Sequence, residues 1–109
     1  MIRHVLMIRW KDTFTDDIRE KWIAGLEKMQ GNIPGMLNLS HGRDILNTDR
    51  SWDHVIIVDF NTVSDIETYN THPLHEAIKP YSLPNAAELA YVDFEVPDTE
   101  AAIPDRSQS

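Results

Sequence analysis

Apolar and polar positions alternate at the start of the chain. In IRHVLMIRW (2–10), Ile2, His4, Leu6, Ile8 and Trp10 fall on one face and Arg3, Val5, Met7 and Arg9 on the other, which predicts a strand. The period then changes. Ile18, Trp22, Leu26, Met29 and Ile33 recur at helical spacing behind Thr15, a candidate N-cap, with Asp16 and Asp17 placed to suit the helix dipole. Pro34 and Gly35 end that helix. MLNLSHGRD (36–44) reads as a weaker strand with Gly42 a candidate bulge, and DHVIIVDF (53–60) as the strongest strand of the chain. A second helix is predicted over 62–72, capped by Thr62 with Asp65 or Ser64 with Glu67, with Val63, Ile66 and Tyr69 inward. Pro73 breaks it and starts a short turn, PLHEAIK; ELAYVDFEV (88–96) is the last strand.

The order strand–helix–strand–strand–helix–strand specifies an α+β, ferredoxin-like (βαββαβ) plan. An antiparallel sheet carries both helices on one face, with the first and third strands central. Residues 1–96 form one domain, and 97–109 read as a polar C-terminal tail with Ile103 its candidate anchor, on a partner subunit or at a pocket mouth.

The two sheet faces differ in chemistry. His4, Leu6, Ile8, His54, Ile56, Val58 and Phe60 belong under the helices. Arg3, Val5, Met7, Arg9, Asp53, Val55, Ile57 and Asp59 form the bare face, and the register that sets Arg3 opposite Asp59 also sets Arg9 opposite Asp53. A face apolar in the middle with paired charges at its ends suits packing against a second copy, giving a homodimer through the sheet.

Charge and composition then remove whole classes of function. With 10 Lys+Arg against 18 Asp+Glu the net charge is −8, which argues against nucleic acid or an anionic membrane as partner. The absence of cysteine excludes disulfides, thiol nucleophiles and zinc–thiolate sites. No metal and no cofactor are expected, because no helical H-x-x-x-H pair is present either. MIRHVLMIRW has Arg3, His4 and Arg9 inside what a leader would need to be apolar, so the expected location is cytoplasmic.

The chemistry concentrates in YNTHPLHEA (69–77). Tyr69 and His75 are six apart, which on one unbroken helix would turn them about 240° from each other; the break at Pro73 lets the rings converge. Together they suit proton abstraction beside a carbonyl, with His75 as base and Tyr69 as hydrogen-bond donor to the developing enolate. Plain structural alternatives stand beside this: Tyr69 as a core aromatic, His75 as a solvated helix-start residue, His72 as a cap before proline, His4 and His54 as rim histidines bonded to backbone or water. Asp59 and Asp93 read as ion-pair partners rather than acids.

The segments MIRHVLMIRW, IPGM, DHVIIVDF, YNTHPLHEAIKP and AYVDFEV, in order over 1–96, resemble the stress-responsive A/B barrel domain (Dabb) family. The resemblance implies a ferredoxin-like protomer that dimerises sheet to sheet into an α/β barrel. It is similar to plant polyketide cyclases of the olivetolic acid cyclase type, in which a tyrosine and a histidine promote an intramolecular aldol condensation. It therefore implies Tyr69 and His75 as catalytic residues. His4, His54 and His72 match histidines at or near the cyclase pocket, and Trp22, Leu26 and Tyr91 match its wall positions; Leu6, Ile56 and Ile66, on the face under the helices, complete the expected substrate-binding set. Trp22, Leu26 and Tyr91 give the pocket a different shape from the cyclase's, so its substrate does not carry over. A coenzyme A thioester would need cations near the mouth, where Arg43, Arg50 and Lys79 are the candidates; a smaller, less charged carbonyl compound fits better. The expected activity is cyclase, isomerase or lyase chemistry on a small carbonyl or phenolic compound. The alternatives are a non-catalytic small-ligand binder and a stress-associated homodimer with a filled core.

Overall fold

In a computed structural model, which describes residues 1–97, four antiparallel strands form one sheet in the order β2-β3-β1-β4. The strands are β1 (Ile2–Trp10), β2 (Met36–Arg43), β3 (His54–Phe60) and β4 (Ala86–Glu95). Helix α1 (Asp16–Met29) joins β1 to β2; α2 (Ser64–Thr71), α3 (Pro73–Glu76), α4 (Lys79–Ser82) and a 3-10 turn at Leu83–Asn85 join β3 to β4. This is the ferredoxin-like arrangement, with β1 and β3 central. The expected tail and its anchor Ile103 lie outside the described residues, save Pro97.

The core forms where two periodicities meet. Along α1, Trp22, Leu26 and Met29 are buried, followed by Ile33 beyond its end; they pack on Ile8, Ile56, Val58 and Phe60 of the sheet. Thr15 caps α1 as its sequence suggests, its hydroxyl accepting from the Ile18 amide at 3.4 Å. At the start of α2 the Asp65 carboxylate accepts from both the amide and the hydroxyl of Thr62, each at 2.9 Å. Val63, expected inward, stands 67% exposed, so Tyr69 is the buried residue of α2 and Ile66 is only partly covered.

Register follows the sequence reading in part. Arg3 lies opposite Asp59 and donates to it through both Nε (2.8 Å) and Nη2 (3.2 Å). The expected Arg9–Asp53 pair does not form, because the β1–β3 ladder ends at Ile8 opposite His54. Asp53 instead accepts from the Trp10 amide at 2.8 Å, while Arg9 pairs with Glu88 on β4 at 3.4 Å and covers Trp52 at 4.5 Å. Gly42 sits in regular register opposite Val55; the irregularity in β2 falls between Met36 and Asn38. Helix α4 begins with Lys79 and Pro80, since a proline in the first turn leaves no amide that would have been bonded.

The outer face carries Val5, Met7, Val55, Ile57, Ala90, Val92 and Phe94, placed together by the β1–β3 and β1–β4 pairings. Met7, Val92 and Phe94 are 37%, 54% and 44% exposed. Among the described residues no helix is long and apolar enough to cross a membrane.

Candidate functional site

The break between α2 and α3 builds the site. His72 is extended (φ −66°, ψ 137°), and its Nδ1 accepts from the Leu74 amide at 3.1 Å, which caps the turn that Pro73 opens. The chain then doubles back: the amides of His75 and Glu76 donate to the His72 carbonyl at 3.0 and 2.9 Å. That reversal lays the His75 ring against Tyr69, centroids 4.1 Å apart and planes 29° from parallel. The pair is stacked, and among the described residues the Tyr69 hydroxyl makes no hydrogen bond to protein.

Both rings line a cavity of about 270 Å³ between the helices and the sheet. Its other walls are His4, Leu6 and Ile8 of β1, Ile56 of β3, Leu89 and Tyr91 of β4, Trp22 of α1, and Asn70, Ile78, Lys79, Ser82 and Leu83. Apolar walls with a few converging polar groups are the usual form of a small-ligand site. Tyr91 is 62% exposed.

Burial sets the protonation states. It pushes the Tyr69 phenol up to about 12, so at neutral pH the hydroxyl remains a donor. His75 is held below its ordinary value chiefly by burial; the bond to the Asn70 carbonyl is the main opposing influence, and the smaller effects of the Lys79 ammonium and His4, which lower it, and of the Glu76 carboxylate, which raises it, follow. His75 Nδ1 lies 3.3 Å from the Asn70 carbonyl oxygen. A carbonyl only accepts, so Nδ1 carries the proton and Nε2 of the neutral ring holds the lone pair. His4 is similarly committed: its Nδ1 lies 2.6 Å from Asp93 Oδ1, a contact that fixes the ring through a carboxylate. Asp59 is thus an ion-pair partner, with Arg3, while Asp93 is hydrogen-bonded to His4 Nδ1.

Seven of the sequence candidates therefore meet at one cavity: Tyr69, His75, His4, Leu6, Trp22, Ile56 and Tyr91. Four do not. Leu26 is fully buried core. His72 is occupied as the α3 cap. Ile66 lies at a separate shallow depression with Ile2, Val63 and Phe94. His54 is 3% exposed on the far side of Trp22, whose indole meets it edge-on at 4.9 Å.

His54 has a partner that the sequence did not single out. His41 of β2 stacks on it (5.3 Å, 19°) with Nδ1 at 3.1 Å from His54 Nε2. Burial, with His41, Arg19 and Arg43 nearby, lowers His54 to about 4. The only sequence signal for His41 is its alternation with Leu39 in a strand of weak pattern. A wider depression of about 630 Å³ lies beyond, between Trp10–Arg19 and Arg43–His54. Its carboxylates mostly hold the local chain: Asp53 takes the Trp10 amide, Asp44 the Asn47 amide at 2.6 Å, and Asp16 the Arg19 guanidinium at 2.7 Å. Among the described residues no group of three or more His, Asp or Glu is arranged to hold a metal ion.

Comparison with known proteins adds three kinds of likeness. The family model described as the Stress responsive A/B Barrel Domain matches residues 2–96. Olivetolic acid cyclase of Cannabis sativa is 26% identical over 76 residues, which is 68% of this chain and 75% of the cyclase. Among solved structures, a dimeric ferredoxin-like protein from Thermobifida fusca superposes with a TM-score of 0.79 at 30% identity, covering 87% of this chain and 90% of that one. The hydroxynitrile lyase of Passiflora edulis shares the fold at 19% identity, with a TM-score of 0.76 over 90% of this chain and 94% of its own.

Proposed function

This chain belongs to the stress responsive A/B barrel family, and on that premise we propose that it is a small-molecule enzyme. Its reaction would be polyketide cyclase-like, isomerase or lyase acid–base chemistry on a small carbonyl or phenolic compound, at Tyr69 and His75. The observation that carries the reading is the position of these two rings, side by side on one cavity wall with complementary states: a phenol kept protonated and an imidazole kept neutral. The His75 Nε2 lone pair takes a proton from the carbon next to the substrate carbonyl. The C–H electron pair becomes a carbon–carbon double bond as the carbonyl π pair moves onto oxygen, and the Tyr69 hydroxyl donates a hydrogen bond to that enolate oxygen. The carbon end of the enolate then either attacks a second carbonyl and closes a ring, the resulting alkoxide taking the proton back from His75, or the enolate system is reprotonated by His75 at another carbon. His4, oriented by Asp93, offers a further polar contact. Olivetolic acid cyclase and hydroxynitrile lyase, among its relatives, are enzymes by name, which supports catalysis in general and no one substrate.

Proton abstraction is read directly by following exchange of the central C–H of 1,3-diketones for deuterium in heavy water. The reading requires protein-dependent exchange that is lost in both Tyr69→Phe and His75→Ala. A protein that binds these compounds without exchanging them is a non-catalytic binder. One observation favours that second reading: the two rings stack rather than hydrogen-bond to each other, as two walls of a binding slot also would.

The protein is further proposed to act as a homodimer through the outer sheet face. Supporting this are the exposed Val92 and Phe94 beside Val5 and Ile57, the ion pairs Arg3–Asp59 and Arg9–Glu88 at the margins, and the description of the Thermobifida fusca relative as dimeric.

A further inference from the structure

We propose that Lys79 is an anion receptor at the rim of the cavity and that the compound bound there is a small carbonyl acid, with a free carboxylate one carbon removed from the keto group. The inference rests on the acid–base reading of the same cavity and names its substrate class.

The charge of the wall is opposite to that of the chain. The protein carries −8 overall, yet among the described residues no carboxylate lines this cavity, and Lys79 is its one formal cation. Lys79 stands at the rim with its side chain 33% exposed, its one paired carboxylate, Glu76, lies outside the lining, and carboxylates beyond roughly 10 Å are largely screened.

Lys79 is also held where it can serve. Its Nζ donates to the Glu76 carboxylate at 2.6 Å and to the Asn70 carbonyl at 3.4 Å. An ammonium has three N–H donors, and among the described residues the third has no partner. The Asn70 carbonyl that accepts from Lys79 is the one that accepts from His75 Nδ1 at 3.3 Å. One backbone oxygen therefore fixes the ammonium and the imidazole as neighbours. A carboxylate on Lys79 sets the adjoining carbon beside His75 and the keto oxygen beside Tyr69. The keto group acidifies the carbon it shares with the carboxylate, the Lys79 ammonium offsets the carboxylate charge that opposes proton removal, and this alignment brings that carbon to the base. A cavity of about 270 Å³ holds the volume of about nine liquid waters, which suits a compound of roughly that many non-hydrogen atoms.

Acetoacetate and acetylacetone test this as a pair, because they differ only in a carboxylate oxygen against a methyl group. Binding is read from the ring signals of His75 by NMR, in the intact protein and in Lys79→Gln, Lys79→Arg and Glu76→Gln. The expected result is a preference for the acid of about tenfold in the intact protein, lost in Lys79→Gln and kept in Lys79→Arg. Glu76→Gln removes the competing carboxylate and strengthens acid binding. Equal binding of both compounds, unchanged in Lys79→Gln, overturns the assignment of Lys79 while leaving the acid–base cavity in place. Failure of both compounds to move His75 overturns both readings.

Discussion

The rings of Tyr69 and His75 stack 4.1 Å apart, although the two residues are six positions apart in the chain and a proline interrupts the helix between. The contact depends on His72, whose extended backbone and capping side chain turn the segment back on itself. A stacked pair leaves the polar end of each ring unspent: the Tyr69 hydroxyl has no protein partner among the described residues, and His75 commits Nδ1 but not Nε2.

Tyr69→Phe should therefore separate activity from stability. Removing a hydroxyl that bonds to nothing orphans no partner, so the melting temperature should stay within a few degrees of the parent. Exchange of substrate C–H for deuterium should fall about a hundredfold, the usual loss when an enolate donor is removed. A large fall in melting temperature would instead make Tyr69 a structural hydroxyl.

Much of this was legible in the sequence because the relevant signals are local. Strict alternation in 2–10 fixed which face His4 and Leu6 share, and Pro73 announced the convergence of Tyr69 and His75. Arg3 opposite Asp59 was legible because both charges lie inside a long regular ladder. Arg9 opposite Asp53 was not, since it lies one step past the end of that ladder, where an unpaired backbone amide at Trp10 and a carboxylate on the neighbouring β4 both compete. Lys79 was legible as one of three candidate cations near the mouth, but not as the one of the three that lines the cavity. Pro80 reads as an interruption, yet proline is tolerated in the first turn of a helix, and α4 starts there and swings Lys79 and Ile78 onto the cavity wall. Leu26, His54 and Ile66 carried the right residue types for a pocket, but depth beneath a helix or position beyond Trp22 is set by packing that no single segment encodes.

Acid should unfold the protein earlier than its carboxylates alone would dictate. His54 sits at about 4 in the folded state against 6.5 when unfolded, so between those values the unfolded chain binds the extra proton. Stability then rises with pH, is fully present above 6.5, and is lost as pH falls toward 4. His75, also lowered, acts in the same direction. Urea midpoints measured across this range should decline in the intact protein and decline less in His54→Gln; parallel curves would show that His54 is not the group responsible.

Gly25 faces Ile78, and a methyl group added at Gly25 would overlap the Ile78 side chain directly. Ile78 lies 4% exposed and borders both the cavity and a depression shared with Gly25, so displacement away from Gly25 carries it toward the cavity. Gly25→Ala should cost about 1–3 kcal/mol from overpacking, less the small helix-propensity gain of alanine. It should also weaken binding of diketones, because the displaced side chain takes ligand space. Chemical denaturation and ligand titration of the same variant check both halves; unchanged ligand affinity would mean Ile78 moves away from the cavity instead.

The outer sheet face offers the sharpest test of assembly. Val92 lies opposite Val5, and Phe94 opposite Arg3, in the β1–β4 register, so a carboxylate at 92 enters the middle of the apolar strip. In a monomer, Val92→Glu on a face already 54% exposed at that position would change stability by only a few tenths of a kcal/mol. In a sheet-to-sheet dimer the same change buries an unpaired charge at the contact, twice over by symmetry. Mass measured by light scattering should therefore fall from two chains to one in Val92→Glu. Glu88→Gln, at the margin beside Arg9, should leave the mass unchanged. If the intact protein already runs as a single chain, the strip is not a homodimer contact.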